Sequence, residues 1–426
     1  MNSNKHLQKR GGLAIMVVVF CVLILAILGI GLLTLGYQTR LRAIKTASEI
    51  IARSAADAGL ARVVYMANVD LLNGTLKTVT YPIQITTNQS LEGTEDTYTA
   101  NYSATYTYYL GFPTDGTAPW SDQNHLFDAN GVGTCSRDST QRTVHAWLGW
   151  QSPFMNAIGV KGNITLSGNP PTLITPWVTA NPPQPTTLFP PLTVRTNSTN
   201  ANAITMSGSA QINGDAAVGV GGDPSTAIKT SGFASITGAR YAASTQQPFS
   251  SVSAPSGLPN NGSLSLSGNT TTLSSSGRYS SITMSGSAIV NITAPITLYV
   301  TGSVDISGFA QLNITSTGSL TLCLGGSMTN SGFSQINNLT QIPANLQMYG
   351  LDTCTSVTLS GFSPIYAAVY APNADITLSG INNFYGAFEG KTFTKSGSTM
   401  LYYDASLRNL RLNLPGASLV VTRWWE

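Results

Sequence analysis

Charge is scarce in this chain. Its 426 residues carry 21 Lys or Arg and 18 Asp or Glu, a charged fraction of 9%, where soluble domains run at roughly 25%. Lys5, Lys9 and Arg10 precede the first apolar run, so the chain after them is close to neutral. No basic face is available for nucleic acid, and that class is set aside. The three histidines, His6, His125 and His145, have no metal-ligand spacing. The lack of charge does not mean disorder, because 42% apolar residues and a net charge of +3 fit a chain that buries a core.

A long apolar run stands out first. After the polar leader and Gly11-Gly12, residues 13–35 contain no charge. As a helix, Leu13 to Tyr37 would span about 37 Å, enough to cross a hydrocarbon core of about 30 Å. A cleaved secretory signal would have a shorter apolar region and an A-x-A-like site. The helix continues as an Ala-rich amphipathic stretch over Arg40–Asn68, with Ile44, Ala47, Ile51, Ala55, Ala58, Val63 and Met66 on one side. Positive charges flank both ends of the apolar run, so charge alone does not orient it.

A short basic leader ending in Gly, the apolar helix that starts there, and the continuation Ser54-Ala-Ala-Asp-Ala-Gly-Leu-Ala-Arg62 resemble the N-terminus of a type IV pilin, and more narrowly the PilX-type minor pilins. The resemblance implies a prepilin-type leader, residues 1–12, cut between Gly12 and Leu13 by a prepilin peptidase, with Gly11–Gly12 as the second choice. It also implies a single pass of the cytoplasmic membrane, with the rest of the chain periplasmic or extracellular. The Glu usual at the fifth mature position is Val17 here. That departure argues against a major-subunit role and fits a minor, tip-type one.

From Thr75 to Gln151 the pattern has period two. Tyr98, Ala100, Tyr102, Ala104, Tyr106 and Tyr108 share one face of an extended segment, and Arg142–Trp150 is a second strand candidate. Phe112 to Asp138 reads as a turn-rich loop. The tyrosine stripe is either the packed face of a small sheet or a stacking surface for sugar or a partner.

Internal repetition dominates the remainder. Ile164-Thr-Leu-Ser-Gly168 recurs, with conservative changes, in copies ending at Gly208, Gly268, Gly286, Gly308, Gly361 and Gly380; weaker copies end at Gly232, Gly332 and Gly397. Alternation sends Ile and Leu inward and Thr and Ser outward, and Gly permits the corner. This is the pattern of a right-handed parallel β-helix, whose coils hydrogen-bond above and below. Counting the 40- and 36-residue intervals as double gives about eleven coils and a rod of roughly 50 Å. Lys395 in the last copy suits a water-accessible terminal coil, with Tyr402, Tyr403, Asp404 and Leu407 as its cap. The Ser-Gly punctuation and the closing Asn383–Gly390 and Tyr403-Asp404 also resemble the exported half of PilX-type proteins.

Parallel β-helices also carry polysaccharide lyases and glycosidases. Asp305 and Asp375 would lie three coils, about 14 Å, apart, too far for paired-carboxylate chemistry; Asp375 with Glu389 stays open. Cys323 and Cys354 are close enough for a bridge between neighbouring coils, the alternative being two buried thiols; Cys21 lies in the apolar helix and Cys135 is left over.

The expected organisation is mainly β. Residues 13–70 form the transmembrane and amphipathic helix, 71–152 a small β-rich domain, 153–410 the β-helix and 411–426 a tail. The expected role is a non-enzymatic minor subunit of a type IV pilus or pseudopilus, without cofactor or metal. Its expected partners are other pilin subunits, the assembly machinery, the peptidase, the membrane and a surface glycan. The alternatives are an uncleaved membrane-anchored β-helix that binds glycan and an anchored polysaccharide-degrading enzyme.

Overall fold

The computed structural model describes residues 5–72, 83–90, 100–108, 127–168, 173–177, 192–380, 383–409 and 418–426. The chain forms two compact units, Met1–Gly149 with Val420–Glu426, and Trp150–Leu419.

In the first unit, one continuous helix α1 (Lys5–Leu72) runs for 68 residues. Beside it lies a five-stranded sheet in the order β1 (Ile83–Ser90), β2 (Ala100–Tyr108), β3 (Phe127–Cys135), β4 (Gln141–Gln151) and the C-terminal strand Ser418–Trp425. The first three pairings are antiparallel. β3 falls inside the stretch read from sequence as a loop. Its Gly131 and Gly133 discourage a strand assignment, but their purpose is close approach. A Cβ on Gly131 would overlap the Ala56 carbonyl oxygen, and one on Gly133 the Ala52 carbonyl oxygen. The helix therefore lies on the sheet through a seam of small residues, Ala52, Ala55, Ala56 and Ala67, with Leu60 and Val63. The anticipated stripe of Ile44, Ile51 and Met66 is only half-buried beside it. Of the Tyr stripe, Ala104 and Tyr106 are buried and Tyr102 is half-buried, and Tyr106 meets Phe127 edge-on at 5.8 Å. Tyr98 lies outside the described residues.

The second unit is a parallel β-solenoid of about nine turns. Its rungs do not follow chain order. In the Ile-Thr-Leu-Ser-Gly column the ladder reads Ile228, Ile204, Ile164, Phe393, Ile376, Val357, Met328, Val304, Ile282, Leu264. The last coil in sequence thus stacks directly on the first. Nine ladder steps at ~4.8 Å give a rod of about 43 Å. From that inner junction one arm, Ile158–Ala242, grows to one end. A strap, residues 243–262, then returns along the rod to the other end, and the second arm grows back to the junction. Twenty extended residues reach about 66 Å, ample for the return.

The strap explains why eleven coils were too many. The 36-residue interval contains the return strap, and in the 40-residue interval Ile164 pairs directly with Ile204, so neither interval hides a coil. Two further expectations are overturned for the same reason. Lys395 is not at a water-accessible terminus but 0% exposed, between Leu378 and Leu166. Tyr402 to Asp404 cap nothing, because Leu401–Asp404 pairs on both sides, with Phe384–Lys395 and Leu173–Trp177. Within the tail, Ser418–Trp425 forms the strand beside β4.

Candidate functional site

Two regions depart from a generic helix and a generic solenoid. The first is α1. Every residue from Met16 to Ala43 is exposed in the isolated chain, including Val17, Phe20, Leu25, Ile30 and Leu33. The segment is long and apolar enough to cross a membrane. Gly29, Gly31 and Gly36 meet no neighbour within 4 Å. Beyond Ala43 the same helix turns to the small-residue seam. The C-terminal strand adds to this unit: Trp425 stacks on His145 at 5.6 Å, Arg423 lies over Trp147 at 4.8 Å, and Glu426 pairs with Arg53 at 2.9 Å. The Trp-Trp tail is thereby an integral strand. Gly12 and Leu13 fall within α1.

The second region is a polar cluster where the first and last coils meet. Glu389 and Gly159 occupy the same rung position on adjacent coils, next to Arg195. The face they share would be outward, but the strap covers it. Glu389 is 0% exposed; its Oε2 accepts from Gln247 Nε2 at 2.6 Å, and Asn156 Nδ2 donates to Gln247 Oε1 at 3.1 Å. Asn197 clamps the Gln247 backbone from both sides, at 2.7 and 3.0 Å. Arg195 donates to the Thr245 carbonyl. Burial pushes the Glu389 carboxyl well above the ordinary carboxylate range; the hydrogen bond from Gln247 and the Arg195 charge oppose the shift but do not cancel it. Gly159 makes the room, since a Cβ there would overlap Glu389 Oε2. Further along the strap, Tyr370 donates to the Ser250 carbonyl at 2.8 Å. The strap is therefore pinned by polar bonds, with Glu389 as the buried anchor.

The solenoid keeps another polar residue inside. Asn330 occupies an inward position, and its Nδ2 donates to Ser334 at 2.6 Å while its Oδ1 accepts from Gly361 N at 2.9 Å. It ties one corner to the next. Outside, Phe309, Phe333 and Phe362 follow the Ser-Gly corners of consecutive coils, with ring centroids 5.3 and 5.7 Å apart. Tyr366, Tyr385 and Tyr402 form a second stack at 4.3 and 4.7 Å.

The structure does not assemble the carboxylate pairs weighed from sequence. Asp305 is three ladder steps from Thr377, two residues past Asp375. Asp375 is half-exposed, accepts from Thr392 at 2.7 Å and meets Lys391 at 3.8 Å, whereas Glu389 is sealed under the strap. Among the described residues no group of three or more His, Cys, Asp or Glu is placed to hold a metal. Cys323 and Cys354 are both buried thiols and are not bridged. Burial pushes them up to about 12 and about 11. The anchor cluster went unrecognised in the sequence because its members come from four separate segments. The one local signal is a lone carboxylate in the apolar run Gly386-Ala-Phe-Glu389.

A family model described as a domain of unknown function (DUF7305) matches residues 241–410, from the strap to the end of the second arm. No curated protein matches. Among solved structures, the competence-associated pilin ComZ from Thermus thermophilus is similar at 12% identity, covering 89% of this chain and 97% of that one, with a TM-score of 0.35. Likeness at that level carries no argument about function, which rests on the chain's own geometry.

Proposed function

We propose that the chain is a membrane-anchored, pilin-like minor subunit of a type IV pilus or pseudopilus, and that it is not an enzyme. One observation carries the reading. A single unbroken helix is bare and apolar over residues 16–35, then packs its second half on an antiparallel sheet through Ala52, Ala56 and the glycines of β3. The bare half has the length and chemistry to sit first in lipid and then against other helices of the same kind. Val17 supplies no carboxylate there, in keeping with a minor subunit that joins a filament at its end. In this reading a prepilin peptidase cuts at Gly12–Leu13, and the solenoid, stiffened by its strap, is the exported rigid body for assembly or adhesion.

Co-expression of the full chain with a prepilin peptidase tests this directly. The expected product starts at a methylated Leu13, read by intact mass and N-terminal sequencing. An intact leader under conditions that process a control pilin would refute the pilin reading and leave a plain surface anchor.

A further inference from the structure

The two ends of the solenoid are chemically unlike. At one end the coil Ile228–Ala242 carries Lys229, Arg240 and Tyr241 exposed. Arg240 occupies the rung position filled inside by Ala216, Val194 and Ile158. A charge in an inward position on an edge strand blocks further strand pairing. The opposite end has no such block. Strand Ser263–Ser267 pairs only with Ser281–Ser285, and Thr270–Leu273 only with Ile289–Ile292, among the described residues. Neither strand bears a charge, and Leu264, Leu266 and Leu273 remain half-buried where their counterparts Ile282, Met284 and Ile292 are buried. The third strand of this coil is already covered by the strap, since Asn261 N donates to Arg278 O and Arg278 N to Pro259 O, both at 2.8 Å. The open edge is thus confined to residues 263–273.

That edge is self-complementary. Ser263-Leu-Ser-Leu-Ser267 reads the same in both directions. In an antiparallel pair, residues directly opposite point to the same face. A two-fold axis through Ser265 would therefore set Leu264 against Leu266 of a second copy and Ser against Ser, with no like charges facing each other. The apolar columns of the two rods would join end to end. Head-to-tail stacking would instead bring Arg240 onto the column of Gly277 and Leu298, burying a charge. We infer that the chain forms a two-fold dimer through strand Ser263–Ser267, independently of any role of α1.

Ser265 is exposed, so its variants leave the coil intact. In a Cys21→Ser background, Ser265→Cys would bring two thiols together at a Cα separation of about 4.5–5.5 Å, within disulfide reach. Mild oxidation of the full chain in detergent should give a linked dimer, and Lys229→Cys at the other end should give none. Ser265→Lys opposes two ammonium groups and should halve the protein mass in sedimentation. A wild-type chain that sediments as a monomer overturns the inference. So does linkage through Lys229→Cys, or a dimer whose mass Ser265→Lys does not change.

Discussion

Replacing Glu389 with Gln keeps the side-chain shape and an acceptor for Gln247, but removes a titrating group from beneath the strap. In the folded chain burial holds this carboxyl protonated well above its ordinary range, whereas the unfolded chain releases the proton at about pH 4.3. Between those limits the folded state binds one more proton than the unfolded state. Stability then falls as pH rises, by about 1.4 kcal/mol per pH unit. Below the unfolded value both states are protonated, and wild type and variant should match. Above the unfolded value the difference accumulates at this slope in favour of Glu389→Gln. At about 2–4 °C per kcal/mol for a domain of this size, the melting temperatures should diverge by roughly 3–6 °C per pH unit. Thermal melts followed by circular dichroism on the full chain in detergent, from pH 4 to pH 7, read this gap. Curves that stay parallel across the range, or a variant that loses stability relative to wild type as pH rises, would refute the assignment of Glu389 as a buried neutral anchor.

The other expectations are simpler to test. Gly133→Ala drives a methyl into the Ala52 carbonyl and should cost about 1–3 kcal/mol, whereas Gly36→Ala, with nothing within 4 Å, should be neutral or gain up to about 1 kcal/mol of helix propensity; proteolysis rates of the two variants compare them. Cys323 and Cys354, both buried thiols held protonated, should resist maleimide at pH 8 in the folded chain and label fully after denaturation. Rapid labelling of either one in the folded chain would refute its burial.

Legibility in the sequence tracked how local each cause is. The Ile-Thr-Leu-Ser-Gly copies were legible because alternation assigns inward and outward positions within five residues, and Ile204, Met206, Ile282 and Met284 are buried accordingly. The missed strand β3 shows the opposite case. Its glycines look like breakers until the backbone of α1 is laid across them. Lys395 misleads in another way: a charge in an apolar column suggests a terminus, and chain order suggests which terminus. In the structure that coil is internal, and burial lowers the lysine to about 7. Glu389 was legible as a carboxylate but not as an anchor, because Gln247, Asn156 and Arg195 reach it only through the strap and the first coil.

By itself the sequence determined the long apolar helix, the solenoid and the facing of its rungs, since periodicity and apolar length act through neighbours along the chain. Only the tertiary structure decided which coil lies beside which, because parallel coils of one repeat offer nearly identical edges and chain order does not distinguish them. The long strap lets the chain start a rod in its middle, return to the far end and close on its own first coil. That closure buries Lys395 and Glu389, seats the strap, and leaves one end with a charge on its open edge and the other with an open edge, residues 263–273, that bears none.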